Sequence, residues 1–246
     1  LEVVCGKGSF IPITYINSAA SLKALCGRNG GTVCTSSNSQ GILKWALDQG
    51  KRILFVPDQH LGRNTANSLG ISKEQIKVWD RSKSDGGLTE TEIESSQIML
   101  WNGCCPVHCH FDVQDIKRLK TENPGLKAIV HPECPEEIVA VADHSGSTDA
   151  IIKTVSESKE CNHWAIGTES NLVGRLAKRL LEKNGTRIEF INKEACVCQS
   201  MNDTRPENVT WILENLLEGN ILNKVSVAED IKTDAKIALD RMLNLS

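Results

Sequence analysis

An internal repeat is the feature that most restricts what this 246-residue chain can become. Short apolar, β-branched runs alternate with helix-like stretches, and the alternation is played through twice. In the first pass, residues 10–17 (FIPITYIN), 51–57 (KRILFVP) and 97–101 (QIMLW) read as buried parallel strands, since near-continuous apolar runs suit strands covered on both faces. In the second pass the same reading falls on residues 126–130, 164–167 and 187–192. Helical patterns lie between them at 18–25, 40–48, 135–142, 150–156 and 172–183, the first opened by Ser18 as an N-cap. Tyr15 matches His131, Ser36 matches Ser147 or Thr148, and Cys105 matches Cys198. The offsets shrink along the chain, as loop insertions between two copies would make them.

Such alternation predicts three-layer α/β/α units with mostly parallel sheets, whose ligands collect at strand carboxyl ends and helix N-termini. The expected division is a unit over residues 1–108, a second over 109–198 and a helical tail over 199–246. In the tail, a helix from Pro206 or Glu207 carries Trp211, Leu213, Leu216 and Leu217 on its apolar side, and another is expected over 228–243. Gly86 and Gly87 mark a flexible tip. The chain starts with Leu rather than Met, and neither copy has a strand left for the tail to cover. A further unit upstream is therefore expected, with the tail packing on it.

Chemistry concentrates at residues 101–111, WNGCCPVHCHF, which holds Cys104, Cys105, Cys109, His108 and His110. Thiols and imidazoles at this density signal disulfides in an oxidising compartment and metal in a reducing one. No apolar leader or membrane-length apolar run is present, so a cytosolic location and a metal are expected. A formal net charge of -3 and 4% aromatics argue against nucleic acid as partner and leave small molecules as the default. Cys26, Cys34 and Cys161 lie singly inside apolar or helical patterns, and Cys34, Cys134 and Cys161 read as structural or incidental, with Cys134 close enough to the cleft to be redox-active, while His60, His110, His144 and His163 receive no role. One contiguous zinc site on Cys104, Cys105, His108, Cys109 and His110, in a binding module or a hydrolase, is a second reading of the same residues.

Eight motifs run in order through the chain: YINS (15–18), CTSSN (34–38), VPDQHLGRN (56–64), WNGCCPVH (101–108), HPEC (131–134), GST (146–148), IGTE (166–169) and CxxMN (198–202). In these the chain resembles the quinolinate synthases, iron–sulfur enzymes of NAD biosynthesis. The resemblance implies related α/β/α units around a pseudo-threefold axis, of which this chain would supply the second and third. It implies a transferase-type synthase that condenses iminoaspartate with dihydroxyacetone phosphate to quinolinate, releasing phosphate and two waters. A [4Fe–4S] cluster with one open iron as Lewis acid would take one cysteine per unit, here Cys105 and Cys198, with Cys104 and Cys196 as adjacent competitors. The cysteine of the first unit would lie upstream, so the chain alone could be an inactive fragment. Tyr15, Asn17, Ser36, His131, Glu133, Ser147 and Thr148 would contact substrate, with Tyr15, His131 and Glu133 in proton transfer and His108 behind the cluster. The enzyme supplying iminoaspartate, an L-aspartate oxidase or aspartate dehydrogenase, is the partner this chemistry admits.

Overall fold

The computed structural model describes residues 2–6, 8–192 and 196–245, so the expected outer limits at 1 and 246, and Ala195 before the last cysteine pair, lie outside it. A short helix α1 (Glu2–Cys5) leads into β1 (Phe10–Tyr15), α2 (Ala20–Arg28), β2 (Thr32–Cys34), α3 (Ser39–Leu47), β3 (Arg52–Val56), α4 (Gln59–Ser68), β4 (Ile76–Trp79), α5 (Glu90–Ser95) and β5 (Ile98–Trp101). The second round is α6 (Val113–Glu122), β6 (Lys127–Val130), α7 (Glu136–Val141), β7 (His144–Ser145), α8 (Thr148–Glu157), β8 (His163–Gly167), α9 (Ser170–Asn184) and β9 (Arg187–Phe190). A tail of α10 (Gln199–Asn202), α11 (Pro206–Leu217) and α12 (Glu229–Leu245) follows. No described helix is long and apolar enough to cross a membrane.

The strands form two parallel sheets, ordered β2-β1-β3-β5-β4 and β7-β6-β8-β9. Alternation along each strand gives both sheets two apolar faces, and each face is roofed by helices. In the first sheet Ile11, Ile13, Ile53, Phe55, Ile98 and Leu100 pack under α3 and α4, while Phe10, Leu54 and Met99 pack under Ile93 of α5 and Val4 of α1. In the second, Ala128, Val130 and Ala165 face α6 and α7, while Ile129, Trp164 and Ile166 face α8 and α9. The repeat is therefore real down to register. Thr14 pairs with Val56 as Val130 pairs with Gly167, so Tyr15 and His131 are the next residues out at equivalent strand ends.

Four departures from the sequence expectation bear on the layout of the sheets and the tail. Strands β4 and β7 were not expected. Ser18 caps no helix; its hydroxyl donates to the Tyr15 carbonyl at 2.6 Å, closing the turn after β1, and α2 starts after Ala19. Gly86 is no flexible tip. It is buried at φ +67° against the Trp79 ring, where a Cβ would come within 2.4 Å of that ring.

The fourth departure concerns the tail. Helix α12, expected to pack on a further unit, packs on α2 and β2 of the first sheet, burying Ala235, Ala238 and Met242. Thr32 Oγ1 donates to the Ala238 carbonyl at 3.1 Å, and Arg28 pairs with Asp234. Helix α11 keeps its apolar side uncovered, with Trp211 and Leu217 at 51% and 90% exposure. The two helices approach so closely that a Cβ on Gly27 would sit 1.9 Å from the Asp234 carbonyl oxygen. Replacing Gly27 by Ala is expected to push α12 off its seat and lower stability by about 1–3 kcal/mol in urea unfolding, the usual range for overpacking. A loss below about 0.5 kcal/mol, the range of a neutral surface change, would show that α12 is not anchored there.

Candidate functional site

In a parallel sheet every strand carboxyl end opens on one edge, and the residues just beyond those ends form the site. From the first sheet come Tyr15 after β1, Ser36 after β2, Asp58 after β3 and the 102–110 loop after β5. From the second come His131 and Glu133 after β6, Ser147 and Thr148 after β7, and Thr168 after β8. The two edges are joined by Asn64 of α4, whose side-chain amide donates to the carbonyls of Pro132 and Cys134 at 2.9 and 2.8 Å. Asn67 and Lys73 reach Glu136 of the second unit at 3.2 and 2.6 Å.

At the centre lies Glu133, 7% exposed. Its Oε2 is 3.0 Å from His108 Nδ1 and 3.3 Å from His131 Nδ1. The imidazoles stack with centroids 4.6 Å apart and planes 13° apart. His108 Nε2 lies 3.2 Å from Thr168 Oγ1, which orients the ring from its other end. Burial alone would raise the Glu133 carboxyl, yet the two imidazoles outweigh it and hold it at about 2. Burial likewise opposes charge on His108, but the Cys105 thiol and the Glu133 carboxylate prevail and raise it to about 9. His131 is lowered by burial and by the neighbouring His108 charge. The array at neutral pH is an imidazolium, a carboxylate and a neutral imidazole, which can hold and pass a proton over short distances.

Cys105, His108 and Glu133 bring their ligand atoms within 4.8 Å of one another. Cys105 is positioned through its backbone: its N–H donates to Asp58 Oδ2 at 2.8 Å, while Asp58 Oδ1 caps α4 by accepting from Leu61 N–H at 2.7 Å. Cys105 and Cys198 line one cavity of about 570 Å³, together with Cys196, Val107, His110 and Asn192. Tyr15 stands beside Ser36 and near Glu133 and Cys105. Ser36 also borders a second cavity of about 280 Å³ with Asn64, Pro132 and Gly146.

Other expected site residues are placed less tightly. Ser147 is buried and its hydroxyl already accepts from Ala150 N–H at 3.3 Å as the N-cap of α8, while Thr148, the first residue of that helix, is exposed. Ser36 precedes α3 by three positions rather than opening it. Asn17 is exposed beside the turn after β1. The zinc site imagined on residues 104–110 does not form as one cluster. Cys105 and His108 join Glu133, whereas Cys104 and Cys109 approach His60, and His110 belongs to neither group. Asp58, Asn64 and Thr168 were not singled out from sequence, although the first two lie in a polar DQHLGRN strand-to-helix junction, the pattern that supplies caps and interdomain ties.

Tyr15 is the only tyrosine, which makes its titration directly readable. Burial first, then the negative charge of Glu133, raise its phenol from 10.0 to about 12. The folded state thus holds this proton more tightly than the unfolded chain, so the stability it contributes is complete below pH 10 and drains away as pH rises towards 12. Spectrophotometric titration should show almost no tyrosinate at pH 10, and half-ionisation there would mean that Tyr15 is solvated. Asn64→Asp, which turns a double donor into an acceptor facing two carbonyls, should destabilise the chain by about 2–3 kcal/mol, against about 1 for Asn64→Ala. Equal unfolding midpoints for the two variants would show that this tie is not formed.

Residues 6–244 match the sequence profile of the family described as quinolinate synthetase A protein. The chain is 48% identical over 234 residues to the quinolinate synthase of Rhodopirellula baltica, covering 95% of this chain and 59% of that relative. With the quinolinate synthase of Corynebacterium glutamicum it shares 43% over 245 residues, covering 100% of this chain and 61% of the relative. With that of Streptomyces coelicolor it shares 44% over 236 residues, covering 96% and 60%. The chain thus spans about three-fifths of the length of these relatives. A profile match over nearly every residue, carried on two parallel-sheet units whose strand ends converge on one cleft, shows that the chain belongs to the quinolinate synthetase A protein family.

Proposed function

We propose that this cleft, in the assembled protein, condenses iminoaspartate with dihydroxyacetone phosphate to quinolinate, with loss of phosphate and two waters, as a step of NAD biosynthesis. The names of the relatives support the activity, and one observation carries it to these residues: Cys105, from the first unit, and Cys198, beyond the last strand of the second, line the same cavity. Two cysteines lining one cavity suit a [4Fe–4S] cluster, a soft centre that takes sulfur in preference to carboxylate, with a third cysteine coming from outside this chain. When bound, the cluster would supply a Lewis-acidic iron for hydroxyl and carbonyl oxygens.

The chain's own residues then divide the remaining work. Tyr15, a phenol at every physiological pH, donates a hydrogen bond to a substrate oxygen. His131, neutral and stacked on His108, takes a proton, and Glu133 holds both rings in place and balances the charge on His108. Ser36, Ser147 and Thr148, beside the openings of α3 and α8, anchor carboxylate or phosphate with the backbone N–H groups there, and Asn17 adds a polar contact at the rim. In this reading residues 1–108 and 109–198 act as two units of the enzyme, and the open side of α11 covers a unit outside this chain. Thiolate ligation calls for a reducing compartment, the cytosol. Because an imine hydrolyses in water, an enzyme that makes iminoaspartate, an L-aspartate oxidase or aspartate dehydrogenase, is the partner that would deliver it.

The test is anaerobic reconstitution of the full-length protein with iron and sulfide. The expected result is about four irons per chain, brown visible absorption and quinolinate formation. Cys105→Ser and Cys198→Ser should each abolish the colour, and Cys196→Ser should keep it. Ser36→Ala and Thr148→Ala should keep the colour while raising KM at least about tenfold, the loss of one hydrogen bond to a charged group. Bleaching by Ser36→Ala, or colour surviving in Cys105→Ser, would sink the assignment.

A further inference from the structure

The cysteines that the cleft leaves aside form a group of their own. Cys104 and Cys109 sit on the loop that carries Cys105, and with His60 of α4 their ligand atoms all lie within 4.8 Å of one another. Neighbouring residues of one loop thus send their sulfurs to different places: Cys105 towards His108 and Glu133, Cys104 towards Cys109 and His60. His60 Nδ1 is buried and has no hydrogen-bond partner among the described residues, an orphaned polar atom of the kind that calls for a ligand.

From this geometry we propose a second metal site, separate from the cleft, in which His60, Cys104 and Cys109 hold a zinc-class divalent cation. Zinc bonds of about 2.3 Å to sulfur and about 2.0 Å to nitrogen set tetrahedral ligand atoms about 3.5–3.8 Å apart, so the 4.8 Å limit closes with ordinary side-chain rotation. Two soft sulfurs and one imidazole select zinc over calcium or magnesium, and the fourth position falls to water. The backbone beneath is already assembled for it. Gln59 N–H donates to the Gly103 carbonyl at 2.8 Å and Gln59 Nε2 to Asn102 Oδ1 at 2.9 Å, which fastens the first turn of α4 to the loop. Cys109 N–H donates to the Cys105 carbonyl at 3.2 Å, folding the loop so that its outer sulfurs face one another. The ion would brace residues 104–109 from behind and so hold Cys105 and His108 in the cleft.

The test uses reduced, metal-free full-length protein carrying Cys105→Ser and Cys198→Ser, titrated with Co(II) alone. The expected result is one cobalt per chain with sulfur-to-cobalt charge transfer and the visible bands of a tetrahedral ion, displaced by zinc. Adding Cys104→Ser, Cys109→Ser or His60→Ala should weaken binding at least about tenfold, the loss that even an outer partner of a metal ligand brings. Circular dichroism verifies the fold of each variant, and Cys104→Ser, at an exposed position, is the change least able to disturb it. Cobalt binding unaffected by Cys104→Ser and Cys109→Ser would overturn the proposal. So would a Cys104–Cys109 disulfide found by mass spectrometry in protein kept under reductant throughout.

Discussion

A buried carboxylate cannot stand alone, and Glu133 is the group that the site is arranged to satisfy. Its two partners come from different units, His131 from its own loop and His108 from the loop that leaves the first sheet. Separating the units would take His108 away from Glu133 and break a buried charge pair, whose loss is costly while either group stays out of water. The position of the units relative to each other is therefore coupled to the protonation pattern of the cleft. Asn64 reinforces that coupling by holding the backbone on either side of Glu133 through the carbonyls of Pro132 and Cys134.

Much of this was legible in the sequence, for definable reasons. Parallel strands covered on both faces must be apolar almost without interruption, so β1, β3, β5, β6 and β8 announce themselves. Their polar successors, Tyr15, Cys105 and His131, stand at the points where the apolar runs stop, which is why a strand-end reading found them. Strand β7 is invisible because two exposed residues, His144 and Ser145, have no hydrophobic pattern to show. Strand β4 is hidden by Lys77 and by the half-buried Trp79. The seat of α12 was illegible for another reason. It depends on a missing side chain at Gly27 and on contacts across some two hundred positions, neither of which leaves a local periodic trace.

The cysteines illustrate the limit of residue type as a guide. Among the described residues the ten cysteines form no disulfide, yet their surroundings separate them. Cys26 and Cys34 are buried among the apolar side chains of the first core, and burial raises both thiols far from reactivity. Cys134 is equally buried and points its sulfur towards the Gly167 carbonyl. Cys104, Cys105 and Cys198 remain at accessible surfaces, where thiolate chemistry is possible. Sequence spacing distinguished Cys105 from Cys104 by its distance to His108, and the fold adds the physical cause: Asp58 grips the Cys105 backbone.

The two copies differ by one strand, and that difference makes their borders unequal. In the first sheet β4 lies outside β5, so the strand feeding the cysteine loop is interior and fully hydrogen-bonded on both sides. Among the described residues its counterpart β9 is a border strand, with backbone groups open to an extended peptide alongside. Three features blunt that invitation: β9 is four residues long, it carries Arg187 and Glu189, and Glu189 is engaged by His163 at 2.7 Å across the ladder. The border is thus guarded by charge where its twin is guarded by an added strand, and protection against self-association in the second copy should weaken in concentrated salt.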